Sequence, residues 1–178
     1  GIGGLTQFCS DGSAFTNSVS GLKGPGGFIK AGADTLNVAG SAHSFTGPVI
    51  VSNGTVNINQ AMTGGNTVTV AGGAVNLGGV AVTFSALTVT GGVFQVAANS
   101  TLSLTGLEPR VRVSGTGTLR LLSGALLPGV TVLDVSESGS IDLSAGGTAS
   151  VYGLRIDGVE QAPGAYTAAT CPAITGTG

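Results

Sequence analysis

A four-residue phrase recurs along most of this chain: a small or polar residue, an apolar residue, any residue, and a second apolar residue. It reads Thr35-Leu36-Asn37-Val38, Thr55-Val56-Asn57-Ile58, Thr67-Val68-Thr69-Val70, Ala74-Val75-Asn76-Leu77 and Ala81-Val82-Thr83-Phe84, then again at Thr101–Leu104, Thr118–Leu121 and Ser140–Leu143. A period of two puts both apolar side chains on one face of a strand, and glycine or asparagine between the phrases turns the chain. No such strand is long enough to bury its apolar face alone. The phrases therefore have to stack on one another, which is the logic of a solenoid.

Spacing sets the size of a coil. Comparable apolar positions fall at Leu36, Val56, Val75 and Phe94, in steps of 20, 19 and 19 residues. Further short strands lie between them, at Val49–Val51, Thr67–Val70, Val82–Phe84, Leu87–Val89 and Thr101–Leu104. Two to three strands per coil of about 20 residues predict an all-β fold, a single right-handed parallel β-helix of roughly triangular section. The hand follows the rule for parallel crossovers. Valine and threonine dominate between the glycines and helix formers are scarce, so almost no helix is expected. The pairs Gly72-Gly73, Gly78-Gly79 and Gly91-Gly92 read as corners, because they lack the aspartates of calcium-binding repeats.

The residues between the apolar pairs face outward. Asn37, Asn57, Asn76 and Gln95 share the coil spacing, which predicts an outward amide ladder along one face. Arg112 and Asp134, like Arg120 and Asp142, are separated by 22 residues. They are either ion pairs between successive coils or scattered solvated charges, and an exposed pair stabilises by under about 1 kcal/mol.

Both ends depart from the pattern. One domain, 1–178, is expected, with an N-terminal segment over 1–20, coils over 21–156 and a C-terminal segment over 157–178. Asp157-Gly158 between two apolar pairs predicts a hairpin there. Terminal coils of a solenoid either close its open edges or use them.

Composition excludes several functions. With 178 residues, a net charge of −2, 8% charged and 4% aromatic residues, the chain has no basic stripe for nucleic acid. Apolar residues reach 42%, yet none of the runs approaches the roughly 18 residues of a membrane-spanning helix, so no membrane insertion is expected. Gly1 opens the chain without methionine or a signal-like segment, which suits a processed, secreted form.

Few residues carry chemistry. Cys9 and Cys171 sit near opposite ends, which about eight stacked coils would hold more than about 30 Å apart, whereas disulfide Cα atoms lie within about 7 Å. A bond from Cys9 of one subunit to Cys171 of the next is the preferred reading, against two unpaired thiols or an internal clip. His43, the single histidine, is expected on a surface turn, with no second ligand nearby for zinc. Asp134, Glu137 and Asp142 form the densest carboxylate cluster, but polysaccharide cleavage needs paired carboxylates and usually aromatic platforms, and the chain has no tryptophan. Asn53-Gly54-Thr55 and Asn99-Ser100-Thr101 match the glycosylation pattern and read as ordinary turns. No catalytic residue, metal or cofactor is expected.

The stretch Ser20-Gly21-Leu22-Lys23-Gly24-Pro25-Gly26-Gly27-Phe28-Ile29-Lys30-Ala31-Gly32-Ala33-Asp34-Thr35-Leu36-Asn37-Val38 resembles the autotransporter-associated β-strand repeat of bacteria, as do Ser44-Phe45-Thr46-Gly47 and Asn53-Gly54-Thr55-Val56. That repeat runs as a glycine-rich turn, a Lys-x-Gly-x-x-Thr-Leu strand, a Tyr-Thr-Gly-like turn and a Gly-Thr-Leu strand. The ending from Asp157 to Ala168 and from Ile174 to Gly178 also resembles the closing segment of large secreted proteins with such repeats. The resemblance implies an extracellular or cell-surface β-helix, usually without catalytic residues. The function expected is structural: a subunit stacking head to tail on copies of itself into filaments or a surface layer. The alternatives are a monomeric adhesin-like module binding carbohydrate or a host surface and, behind it, a polysaccharide lyase or hydrolase.

Overall fold

Most phrases bury their two apolar side chains and leave the residue between them half-exposed, as at Leu36 and Val38 around Asn37, whereas in Ser140–Leu143 Asp142 is buried and Leu143 only partly so. Strands this short gain burial only from neighbours above and below, and the chain supplies these by winding. A computed structural model describes residues 4, 6–8, 16–107, 109–128, 130 and 132–176. Those residues form a β-solenoid of about 7 turns, with no helix.

Two sheets run its length. The first contains β1 (Thr6–Phe8), β4 (Phe28–Lys30), β7 (Val49–Val51), β9 (Met62–Val70), β11 (Ala81–Val89), β14 (Arg110–Val113), β16 (Val132–Val135), β18 (Gly153–Ile156) and β19 (Val159–Glu160), in that order. The second contains β2 (Thr16–Ser20), β5 (Thr35–Ala39), β8 (Thr55–Ile58), β10 (Ala74–Leu77), β12 (Val93–Val96), β15 (Thr118–Leu121), β17 (Ser140–Asp142) and β20 (Ile174–Thr175). Every pairing in both is parallel except β18 with β19. A third, shorter side is built from β3 (Lys23–Gly24) on β6 (Ser44–Phe45), and from β13 (Thr101–Leu104) on the first half of β11. The section is thus three-sided, as the strand count per coil implies.

Register turns the sequence repeat into columns. On the second sheet Leu36, Val56, Val75, Phe94, Leu119, Ile141 and Ile174 stack inward. On the first, Phe28, Val49, Val68, Leu87, Val111, Leu133 and Leu154 do the same. Burying each such side chain contributes roughly 1.5–3 kcal/mol, against the entropy of ordering the coil. Phe28 meets Phe45 at 5.8 Å between ring centroids, and Phe84 meets Phe94 edge to face at 6.2 Å.

Besides Ser100, whose buried hydroxyl donates to the Leu77 carbonyl, polar residues enter this core at three places that the period-two pattern does not reveal. Lys30 takes the position that Val51 and Val70 hold in the next coils, and it is fully buried. Its ammonium donates to the carbonyls of Ala31 (2.9 Å) and Gly32 (2.8 Å) and to the Asp34 carboxylate, so the corner that follows folds around it. Asn66 is buried at the kink of β9, where the register against β11 shifts, and its Nδ2 donates to Phe45 and Gly47 carbonyls at 2.8 Å each. His43 is the third, and it corrects the expectation of a surface turn. It is fully buried, Nδ1 accepts from Leu22 N–H at 3.0 Å, and Nε2 lies 3.3 Å from the Ala39 carbonyl. The ring satisfies backbone groups where the narrow third side leaves the sheet ladder incomplete.

The ends differ from each other. Asp157 and Gly158, with φ of 50° and 79°, make the expected hairpin turn, which returns β19 antiparallel onto β18. Farther on, β20 lies parallel on β17. The C-terminal segment thus sits on the last coil of both sheets. At the other end, no described strand pairs with the outer edges of β1 and β2.

Candidate functional site

The outward amide ladder exists as spacing predicts. Asn37, Asn57, Asn76 and Gln95 are successive register partners on the second sheet. Asn57 Nδ2 donates to Asn37 Oδ1 at 2.9 Å, and Asn76 Nδ2 donates to Asn57 Oδ1 at 3.0 Å. The amides point the same way along the axis, so each bond polarises the next. Gln95 continues the column without joining this chain of bonds.

The same column then becomes ionic. Gln95 is the register partner of Arg120, and Arg120 of Asp142. Arg120 Nε donates to Asp142 Oδ2 at 2.7 Å. The Ser144 hydroxyl and its N–H, 2.9 Å from Asp142 Oδ1, together with Arg120, hold the Asp142 carboxyl below its ordinary pKa. Ladder and ion pair are one structure, hidden in the sequence because the step from Gln95 to Arg120 is longer than 20 residues.

The second Arg/Asp pairing is only half right. Arg112 is the register partner of Asp134, but the ion pair to Asp134 comes from Arg110, whose Nη1 is 3.5 Å from Oδ2. Both arginines lie on the outer face of β14, and Arg110 reaches forward along the strand to the carboxylate. Arg155 is the next register partner of Asp134, and Glu160 that of Arg155, so charges alternate in sign toward the C-terminal end.

The carboxylates are not brought together. Asp134 belongs to the first sheet and Asp142 to the second, while Glu137 occupies the corner between them with φ of 57°. Glu137 Oε2 accepts from Gly115 N–H at 2.9 Å, and Asp157 Oδ1 accepts from Glu137 N–H at 2.8 Å. Each carboxylate therefore ties one coil to another or closes a turn. Among the described residues no group of three or more His, Cys, Asp or Glu side chains could hold a metal ion.

Burial pushes the His43 imidazole below its ordinary pKa, against the Ala39 carbonyl, which pulls the other way. With Nδ1 accepting from Leu22, the neutral ring is the form this site holds. Cys171 is a free, buried thiol, and Cys9 lies outside the described residues.

One cavity stands out, at the C-terminal end. It measures about 590 Å³ and lies between the last coil, at residues 147–154, and the segment from Glu160 to Ala168. Leu133, Ile141, Leu154 and Ile174 form an apolar floor, and Tyr152 beside it is 92% exposed. Sequence reasoning identified an atypical tail but gave no sign that it arches over the core.

No family model, curated protein or solved structure matches the chain.

Proposed function

We propose that this chain is a structural, non-catalytic β-solenoid module of the autotransporter-associated repeat type, extracellular or on the cell surface, which lengthens a rod by stacking head to tail on further copies of itself. The observation that carries the reading is the pair of parallel edges, β1 and β2, whose outer sides no described strand covers, while along those two sheets the strands that follow, as far as β18 and β17, are paired on both sides. An uncovered parallel edge is a template for another strand. The register sets Thr6 opposite Phe28, so this end carries a polar residue type at the head of an apolar column. That lowers the cost of leaving the edge in water and leaves backbone pairing to drive association. The separated, structurally engaged carboxylates support a non-catalytic role.

A glycan-binding face on the amide ladder has less support, because the asparagines spend donors and acceptors on each other. Sedimentation velocity across a concentration series up to several hundred micromolar tests the stacking reading. The expected result is reversible growth that Ser18→Pro in β2 abolishes with the β-sheet circular dichroism intact. A monomer at every concentration overturns it.

A further inference from the structure

We propose that the C-terminal segment from Asp157 to Gly176 is a detachable strap that covers the acceptor end of the solenoid, and that a second copy of this chain pairs there once the strap lifts. The inference rests on the stacking reading and adds its control. Head-to-tail growth needs β1 and β2 of one molecule to meet the outer edges of β18 and β17 of another, and in this structure the strap occupies both.

Its anchorage is slight. At one end β19 is two residues long, and beyond it Gln161 N–H donates to the Leu154 carbonyl at 2.8 Å. At the other end β20 is also two residues long, with Ile141 N–H donating to Ala173 and Leu143 N–H to Thr175, both at 2.8 Å. Between these anchors the chain is exposed from Ala162 to Thr170 apart from the partly buried Tyr166. It spans the cavity of about 590 Å³ rather than filling it. Cys171 and Ile174 are the buried apolar side chains of the strap, and a segment whose middle has exposed backbone and little apolar burial opens at a fraction of the global unfolding free energy.

What it covers suits a coil. Beneath the strap the interior columns end in Leu154 and Ile141, which with Leu133 make an apolar surface that a further turn would bury. The edge of β17 already accepts a parallel strand in register, with Ile174 on Ile141 and Thr175 on Asp142. In a second copy, β2 is a parallel edge strand of the same sheet, five residues long where β20 has two. The incoming strand therefore offers a longer ladder than the one it replaces. A second copy is the occupant this end matches, because its leading edge repeats the same two-sheet geometry.

Cys171 reports the strap's position. It lies inside the strap and is buried, so its thiol becomes accessible when the strap lifts, and a bond to Cys9 of a neighbour needs the same movement. The experiment uses the full chain in a Cys9→Ser background, with maleimide alkylation of Cys171 and sedimentation velocity measured on the same samples. Ile174→Asp loosens the β20 anchor, and Gly158→Val, at φ of 79°, independently loosens the hairpin. Alkylation should accelerate at least tenfold in either variant, and association should begin at a tenfold lower concentration. If alkylation accelerates while association begins at the unchanged concentration, the strap inference falls and stacking stands. If alkylation accelerates and neither parent nor variants associate, the stacking reading falls and takes the inference with it. Cys171 reactivity unchanged in both folded variants also overturns the strap, as does association that survives Ser18→Pro.

Discussion

Asn57 donates from Nδ2 to the Oδ1 of Asn37 at 2.9 Å, although the two residues are 20 positions apart in the chain. The bond exists because the parallel register places each asparagine over the one before it. Any slip of one residue would turn every asparagine inward and every buried valine outward. The amide column thus checks the register from outside while the apolar columns enforce it from within.

Asn57 is the central member, donating to Asn37 and accepting from Asn76. Asn57→Ala should cost about 1–2 kcal/mol, the net worth of two half-exposed hydrogen bonds. Gln95→Ala, beyond the end of the bonded chain, should cost about 0.5 kcal/mol or less. Urea denaturation of the two variants compares them, and equal costs would remove the ladder's structural role.

Lys30 and Asp34 form a buried pair at the corner after β4. Lys30→Met removes the cation paired with a buried carboxylate and should cost about 3–5 kcal/mol. Adding Asp34→Asn removes the charge as well and should recover part of the loss. A double variant no more stable than Lys30→Met alone would show that the backbone bonds of Lys30, not the charge pair, matter.

Stability should fall as pH drops from about 7 toward 5, because of His43. Its folded pKa is lowered by burial, so below the ordinary 6.5 the unfolded chain takes up a proton that the folded chain refuses. The stabilising contribution is present above 6.5 and lost as pH falls from there toward the lowered folded value. Asp142, also lowered, contributes stability above its ordinary 3.8 and loses it at more acid pH, so the loss that begins below 6.5 belongs to His43. Denaturation midpoints at pH 7 and 5 should differ for the parent and differ less for His43→Gln. An unchanged difference in that variant would remove His43 as the source.

Two glycines with nearly the same backbone separate conformational strain from crowding. Gly65 has φ of 69° and open space where a side chain would go, whereas a Cβ on Gly92, at φ of 68°, would lie 2.0 Å from the Gly73 carbonyl oxygen. Gly65→Ala should cost about 1–2 kcal/mol from the left-handed conformation alone. Gly92→Ala should cost about 4 kcal/mol or more, since two coils must part to admit the methyl group. Thermal unfolding of both variants measures the gap.

Much of this arrangement was readable in the residues. Apolar alternation in Thr35–Val38 and its successors identified inward and outward positions, and the steps from Leu36 to Phe94 placed Asn37 over Asn57 and Asn57 over Asn76. Those inferences hold because a parallel solenoid maps sequence period directly onto height along one axis. Arg112 escaped the same reasoning because a long side chain is not bound to its register partner, so Arg110 could take Asp134 instead.

Local order and coil height were thus determined by the sequence itself, through the period of two and the period of about 20. Tertiary structure alone decided the exceptions. His43, Lys30 and Asn66 look like surface residues by type, and they are buried because backbone groups at narrow corners need partners that no neighbouring strand supplies. The fate of the C-terminal segment was decided the same way. Asp157-Gly158 encodes a turn, but the apolar end of the finished stack draws the chain back across Ile141 and Leu154, and that surface exists only once the coils have stacked.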